Sequence, residues 1–166
     1  MENSIIVDHV LEKLGFVNQQ FYRLLLIVGP SERAQENIVN HVSKKINAPV
    51  VNINLDVSRQ LLELPEKQRP LNVSKILDSI IKSETKNTFI FKNIELLFNA
   101  ALETDPLRLF KKISRNKTII VAWNGFIKDN YLIYAAPGHP DYKKYLTNNL
   151  NIINIHDSNQ KFKGVR

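Results

Sequence analysis

Apolar and polar positions follow two periods along this chain, and the two take turns. Ser4 to Leu14 sets Ile5, Ile6, Val10, Leu11 and Leu14 at helical spacing, with Gly15 as a stop signal, which predicts a helix over about 3–15. An unbroken apolar run, "LLLIV", then predicts a strand over Tyr22 to Val28. After Gly29 the helical spacing returns at Ile38, Val39, Val42 and Ile46, and Pro49 introduces "VVNINLDV" as a second strand. "SRQLLELPEKQRP" reads as a short helix ended by Pro65, and Val73 to Lys82 as a helix built on Val73, Ile76, Leu77, Ile80 and Ile81. "TFIFKNIELLF" supplies a third strand, "DPLRLFKKIS" a helix, "TIIVAWNG" a fourth strand and "NIINIHD" a fifth. Strands separated by helices need crossover connections, so the pattern predicts a layered α/β domain with a mainly parallel, five-stranded sheet.

Strand composition also predicts spatial order. "RLLLIV", "TFIF" and "TIIVAW" are nearly continuous apolar runs, as in strands covered on both faces, whereas "VVNINL" and "NIINIH" alternate, as in strands half covered. The first, third and fourth strands are then central. This resembles the 5-1-4-3-2 sheet of P-loop NTPases related to AAA+ proteins, which implies a three-layer fold over residues 1–166 with no separate lid domain. "NGFIKDNYLIYAAPGHPDYKKY" interrupts the alternation and predicts a hairpin insertion at about 122–138, followed by a Pro- and Gly-rich turn.

Composition adds limits. A chain of 166 residues suits one domain with a proper core. It has no cysteine, and His9, His41, His139 and His156 lack ligand-like spacing, so neither a disulfide nor a metal site is expected. No apolar run is long enough to cross a membrane, and the first residues carry acidic groups instead of a basic signal-peptide start; a cytoplasmic location is the expectation. The net charge of +7 admits a polyanionic partner. Its densest cluster is "RLFKKISRNK", where Arg108, Lys111, Lys112, Arg115 and Lys117 read either as a solvated helix face or as a contact surface for DNA or a protein. Tyr131, Tyr134, Tyr142 and Tyr145, near Lys143 and Lys144, are candidates for base stacking or for plain packing.

The passage from strand to helix at "LLLIVGPSERAQENIVNHV" is laid out as a phosphate-binding loop, Gly29, Pro30, Ser31, Glu32, Arg33, Ala34, Gln35 and Glu36. A working Walker A motif, GxxxxGK[ST], needs a second glycine for close approach to phosphate, a lysine for the β and γ phosphates and a hydroxyl for magnesium. Aligned from Gly29, those places hold Ala34, Gln35 and Glu36. Glu32 and Glu36 suit the positive end of the helix themselves and would repel a nucleotide. Walker B ends an apolar strand with an aspartate for magnesium; "FIFKNIE" has Lys92 there, followed by Asn93 and Glu95. Lys92 could pair with Glu36 or Glu32 across the strand tips in place of metal and phosphate, or stand apart on the surface. Asn124 ends the fourth strand, where AAA+ relatives often keep a sensor for the γ phosphate, although Asn-Gly is also a hairpin turn signal. No catalytic set stands out; the candidates are Glu95, Asn124 and Arg115. No cofactor is expected, with ATP and magnesium as the alternative.

"LLLIVGPS", "VVNINLDVSRQLLELPEKQRPL", "NIELLFNAALETDPLRLFKKISRNKTIIVAWNG" and "YAAPGHPDY", in this order, resemble the BrxF family, small P-loop proteins of type 3 bacteriophage exclusion (BREX) systems. The long middle and C-terminal segments carry the resemblance, which spans most of the chain. It implies a bacterial antiphage role beside a large BREX ATPase, a methyltransferase and a phosphatase-like protein. Ala34, Gln35, Glu36 and Lys92 depart from a P-loop family's pattern and point to a non-hydrolysing assembly or regulatory subunit. Arg115 could then serve a neighbouring ATPase in trans as an arginine finger. The alternatives are a DNA-binding subunit using the basic cluster, and an unconventional ATPase in which Glu95 positions water. Polar edge strands and the N-terminal helix are candidate surfaces for partners or self-association.

Overall fold

In the computed structural model, residues 2–155 are described. A five-stranded, all-parallel sheet is made from β1 (Leu24–Gly29), β2 (Val50–Asn52), β3 (Thr88–Lys92), β4 (Thr118–Asn124) and β8 (Ile152–Asn154), in the order β2-β3-β4-β1-β8. Counting only these five strands, the order is 5-1-4-3-2: the first, third and fourth strands are central, as the burial pattern predicts, and the full order is the one the resemblance implies. All six residues of β1 are buried, and so are all but the last of β4. Their side chains alternate between two cores, because successive residues of a strand face opposite sides. Leu24, Leu26, Val28, Phe89, Phe91, Ile119, Val121 and Trp123 face one; Leu25, Ile27, Ile90, Ile120 and Ala122 face the other.

Each core is closed by helices. α1 (Glu2–Val17) and α2 (Glu32–Ile46) cover the second, through Val7, Val10, Leu14, Ile38, Val39 and Val42. The first is covered by α3 (Ile53–Leu61), α4 (Arg69–Lys82) and α5 (Pro106–Ile113). The result is a three-layer α/β/α arrangement. No helix among the described residues is long and apolar enough to cross a membrane.

Local chemistry moves several boundaries. α1 runs through Gly15 to Val17, since the burial of Val17 holds the last turn in place. The second strand stops at Asn52, whose side chain accepts a hydrogen bond from the Leu55 amide (3.1 Å) and caps α3. Most of the predicted strand "VVNINLDV" is therefore helix. The third strand ends at Lys92, where Asn93 turns the chain with φ 53°. His156 and Asp157, placed in the fifth strand from the sequence, lie outside the described residues.

The hairpin insertion begins later than expected and has three strands: β5 (Phe126–Lys128), β6 (Tyr131–Tyr134) and β7 (Lys143–Leu146), antiparallel in that order. Its tight turn is Asp129-Asn130, with φ 52° and 66°, as a two-residue primed turn requires. The Asn124-Gly125 pair is the junction between the sheets instead. A Cβ on Gly125 would come within 2.1 Å of the Ile133 carbonyl oxygen, so this crossing needs glycine.

Candidate functional site

In an open parallel sheet, ligands bind outside the carboxyl ends of the strands. That end of this sheet gathers Gly29, Lys92, Asn93 and Asn124 with the start of α2. Ser31 caps the helix, its hydroxyl accepting from the Ala34 amide (3.3 Å). One of the free amides that would meet an anion is thereby engaged.

Gln35 decides what the loop can hold. It stands where the alignment from Gly29 would place a Walker lysine, is only 2 % exposed, and turns its side chain back onto the sheet. Nε2 donates to the carbonyls of Ile27 (2.9 Å) and Trp123 (2.6 Å), joining α2 to β1 and β4. A Cβ on Gly29 would lie 3.1 Å from the Gln35 Cγ, so the side chain lies directly over that glycine. Both amide protons are used, leaving no donor directed outward.

Glu95 is tied in the same way. Its carboxylate accepts from Asn54 Nδ2 (2.7 Å) and Asn124 Nδ2 (2.6 Å), while Asn54 Oδ1 accepts from the Leu96 amide (2.8 Å). Asn124 thus serves the carboxylate and not a hairpin turn. Sequence reasoning missed Asn54 because it expected a strand there; the α3 turn is what aims Asn54 at Glu95. The Asn54 amide also donates to the Asn93 carbonyl (2.8 Å), locking the end of β3 to the start of α3.

Glu32, Glu36 and Lys92 line one cavity with Gln35, Asn93 and Asn124, but the structure shows no ion pair between Lys92 and either glutamate. The cavity measures about 20 Å³. That accommodates about one water molecule, against roughly 300 Å³ or more for an ordinary small-molecule site. Two carboxamide oxygens, Asn93 Oδ1 and Asn124 Oδ1, are buried without a protein partner. Among the described residues, no group of three His, Cys, Asp or Glu side chains is placed to hold a metal ion.

The basic cluster lies at the other end of the sheet. Arg115 precedes β4, and the seven residues of β4 separate the two ends by about 20 Å at ~3.3 Å per residue. Arg115 therefore cannot serve its own chain's loop. Arg108, Lys111, Lys112 and Arg115 line one open groove of about 660 Å³. Lys117 does not join them: its ammonium donates to the Lys86 carbonyl (2.6 Å) and sits over the Phe89 ring.

The tyrosines divide. Tyr134 stacks on Phe98 (3.6 Å, 14°), and Trp123 meets Phe98, Tyr134 and Tyr145 edge-on, fastening the small sheet to the large one. Packing, not base stacking, accounts for these two. Burial, reinforced by the Glu95 and Asp141 carboxylates, pushes the Tyr134 hydroxyl up to a pKa of about 12. Burial and a hydrogen bond to Asp105 (2.8 Å) push Tyr145 higher still. Tyr131 lies under the Lys144 ammonium, 4.0 Å from its ring centre.

No protein-family model, curated protein sequence or solved structure matches this chain.

Proposed function

We propose that this chain is a P-loop-type domain whose nucleotide site is closed by its own side chains, and that it acts as a non-hydrolysing assembly or regulatory subunit. The buried Gln35 amide, bonded to Ile27 and Trp123, is the observation that carries this reading. It supports closure because the group at the lysine position points inward, onto the sheet. The carboxylate best placed to orient water, Glu95, is already held by two asparagines. Those two charge-assisted bonds, one to each oxygen, hold the carboxylate against Asn54 and Asn124.

A closed site leaves binding as the chemistry. Following its resemblance to the BrxF family, the chain would belong to a bacterial phage-defence complex of the BREX kind, in the cytoplasm, beside a large ATPase. Its work would be to hold or adjust that partner.

Calorimetry of ATP and ADP with magnesium tests the closure, using a Gln35→Lys/Glu36→Thr double variant as the restored loop. No saturable heat from the wild-type chain is the expected result. Saturable binding by the wild-type chain, with turnover lost in Glu95→Gln, would overturn the reading and support an unconventional ATPase.

A further inference from the structure

The groove at the strand N-termini has chemistry that the closed site does not explain. Arg108, Lys111 and Lys112 reach it from α5 and Arg115 from the turn that follows. Lys112 Nζ donates to Ser74 Oγ (3.2 Å), so α4 forms the opposite wall. The apolar face of α5 is spent on the core through Leu107, Leu109, Phe110 and Ile113, which turns Arg108 and Lys112 outward.

Two carboxylates also line the groove, and they differ. Asp105 caps α5 by accepting from the Arg108 amide (3.3 Å) and also accepts the Tyr145 hydroxyl (2.8 Å), both on Oδ1, which fixes its carboxylate at the start of the helix. Glu103 is exposed at the groove's rim and opposes a polyanion. Four cations against these two acids leave the groove positive.

Beside the cations lie two aromatic rings that the core leaves out. Phe21 is 65 % exposed and Tyr22 44 %, and they contact each other edge to face at 4.8 Å. The Arg115 guanidinium covers the Phe21 ring at 4.8 Å, and Arg23 donates to the Arg115 carbonyl (3.3 Å), fixing that turn beside the rings. Tyr22 itself lines the groove. Exposed rings next to a row of cations match the two needs of an unpaired strand, base stacking and phosphate neutralisation. A closed duplex offers no base faces to such rings.

We propose that this groove binds single-stranded nucleic acid, with Arg108, Lys111, Lys112 and Arg115 on the phosphates and Phe21 and Tyr22 stacking on bases. The surface is separate from the closed loop and independent of whether that loop ever takes a nucleotide.

Fluorescence anisotropy of the full chain with a labelled oligothymidylate of about 12 nucleotides tests this. Four phosphate contacts predict a log–log salt slope of about −2.8, or about a 50-fold loss of affinity between about 50 and about 200 mM salt. Lys112→Glu and Arg108→Glu should each weaken binding about tenfold and flatten that slope. Phe21→Ala should weaken it about fivefold or more, as the loss of one stacked base predicts, with the slope unchanged. Glu103→Gln should tighten binding, a gain that misfolding cannot imitate. Lys45→Ala, exposed on α2 across the sheet, serves as the unchanged control. The proposal is overturned by absent binding, by equal affinity for a duplex of the same length or for a polyglutamate peptide, or by groove variants that bind like the wild type.

Discussion

The two ends of the central sheet contrast sharply. At the carboxyl ends, where parallel sheets usually receive ligands, Gln35, Glu95, Asn54 and Asn124 bond to one another or to the backbone, and Gln35 and Asn124 line a cavity of about 20 Å³. At the amino ends, four cations and the Tyr22 ring border an open groove of about 660 Å³, with the exposed Phe21 ring under Arg115 beside it. Polar side chains spent on internal bonds contribute to stability and are unavailable to a ligand; the cations of the groove are largely the reverse. At the usual binding end Gln35, Glu95 and Asn124 are held by internal bonds, and at the usual supporting end Arg108, Lys112 and Arg115 are exposed.

This difference can be broken or sharpened by substitution. The largest effect is expected at Gln35. Gln35→Ala removes two buried hydrogen bonds and leaves a cavity against Gly29, which should cost about 2–4 kcal/mol in urea-induced unfolding. Glu95→Gln retains one acceptor but sets an amide NH₂ against an asparagine NH₂, with an expected loss of about 1–2 kcal/mol by the same measurement.

A pH titration separates the aromatic joint from both ends. Tyr134 has its pKa raised from 10.0 to about 12, so the folded state keeps a proton that the unfolded chain releases first. Its contribution is complete below pH 10 and is lost as the pH rises through the folded value of about 12. Unfolding stability should therefore fall across that window, and Tyr134→Phe should reduce the slope. The smallest effects belong to the open end: Arg108→Ala and Lys112→Ala should each change stability by less than about 0.5 kcal/mol, because exposed cations there support no core.

Much of the fold was legible because burial writes directly into apolar patterns. The continuous runs of β1, β3 and β4 and the alternation of β2 and β8 predicted which strands lie in the centre and which at the edges. Polar residues with two uses were harder to read. Asn52 could continue a strand or cap a helix, and only the packing of Ile53, Val57 and Leu61 selects the cap. Asn124-Gly125 carried a turn signal, yet the turn fell to Asp129-Asn130, since the Asn124 side chain bonds Glu95 and the Gly125 amide donates to the Gly29 carbonyl.

The site was legible by substitution but not by geometry. The alignment of Gln35 and Lys92 with the places of Walker residues led to the expectation of a degenerate nucleotide loop. It did not predict that the Gln35 amide would fill the place. The basic cluster was visible as a run of five residues, but the side chains divide it: Lys117 turns to Lys86, while Phe21 and Tyr22, distant in sequence, join the other four.

The most direct test of closure follows the Gln35 side-chain amide by nuclear magnetic resonance, with and without excess ATP and magnesium. The account predicts slowly exchanging Nε2 protons whose shifts do not move when nucleotide is added. Rapid exchange with solvent, or displacement of those signals by ATP, would contradict it.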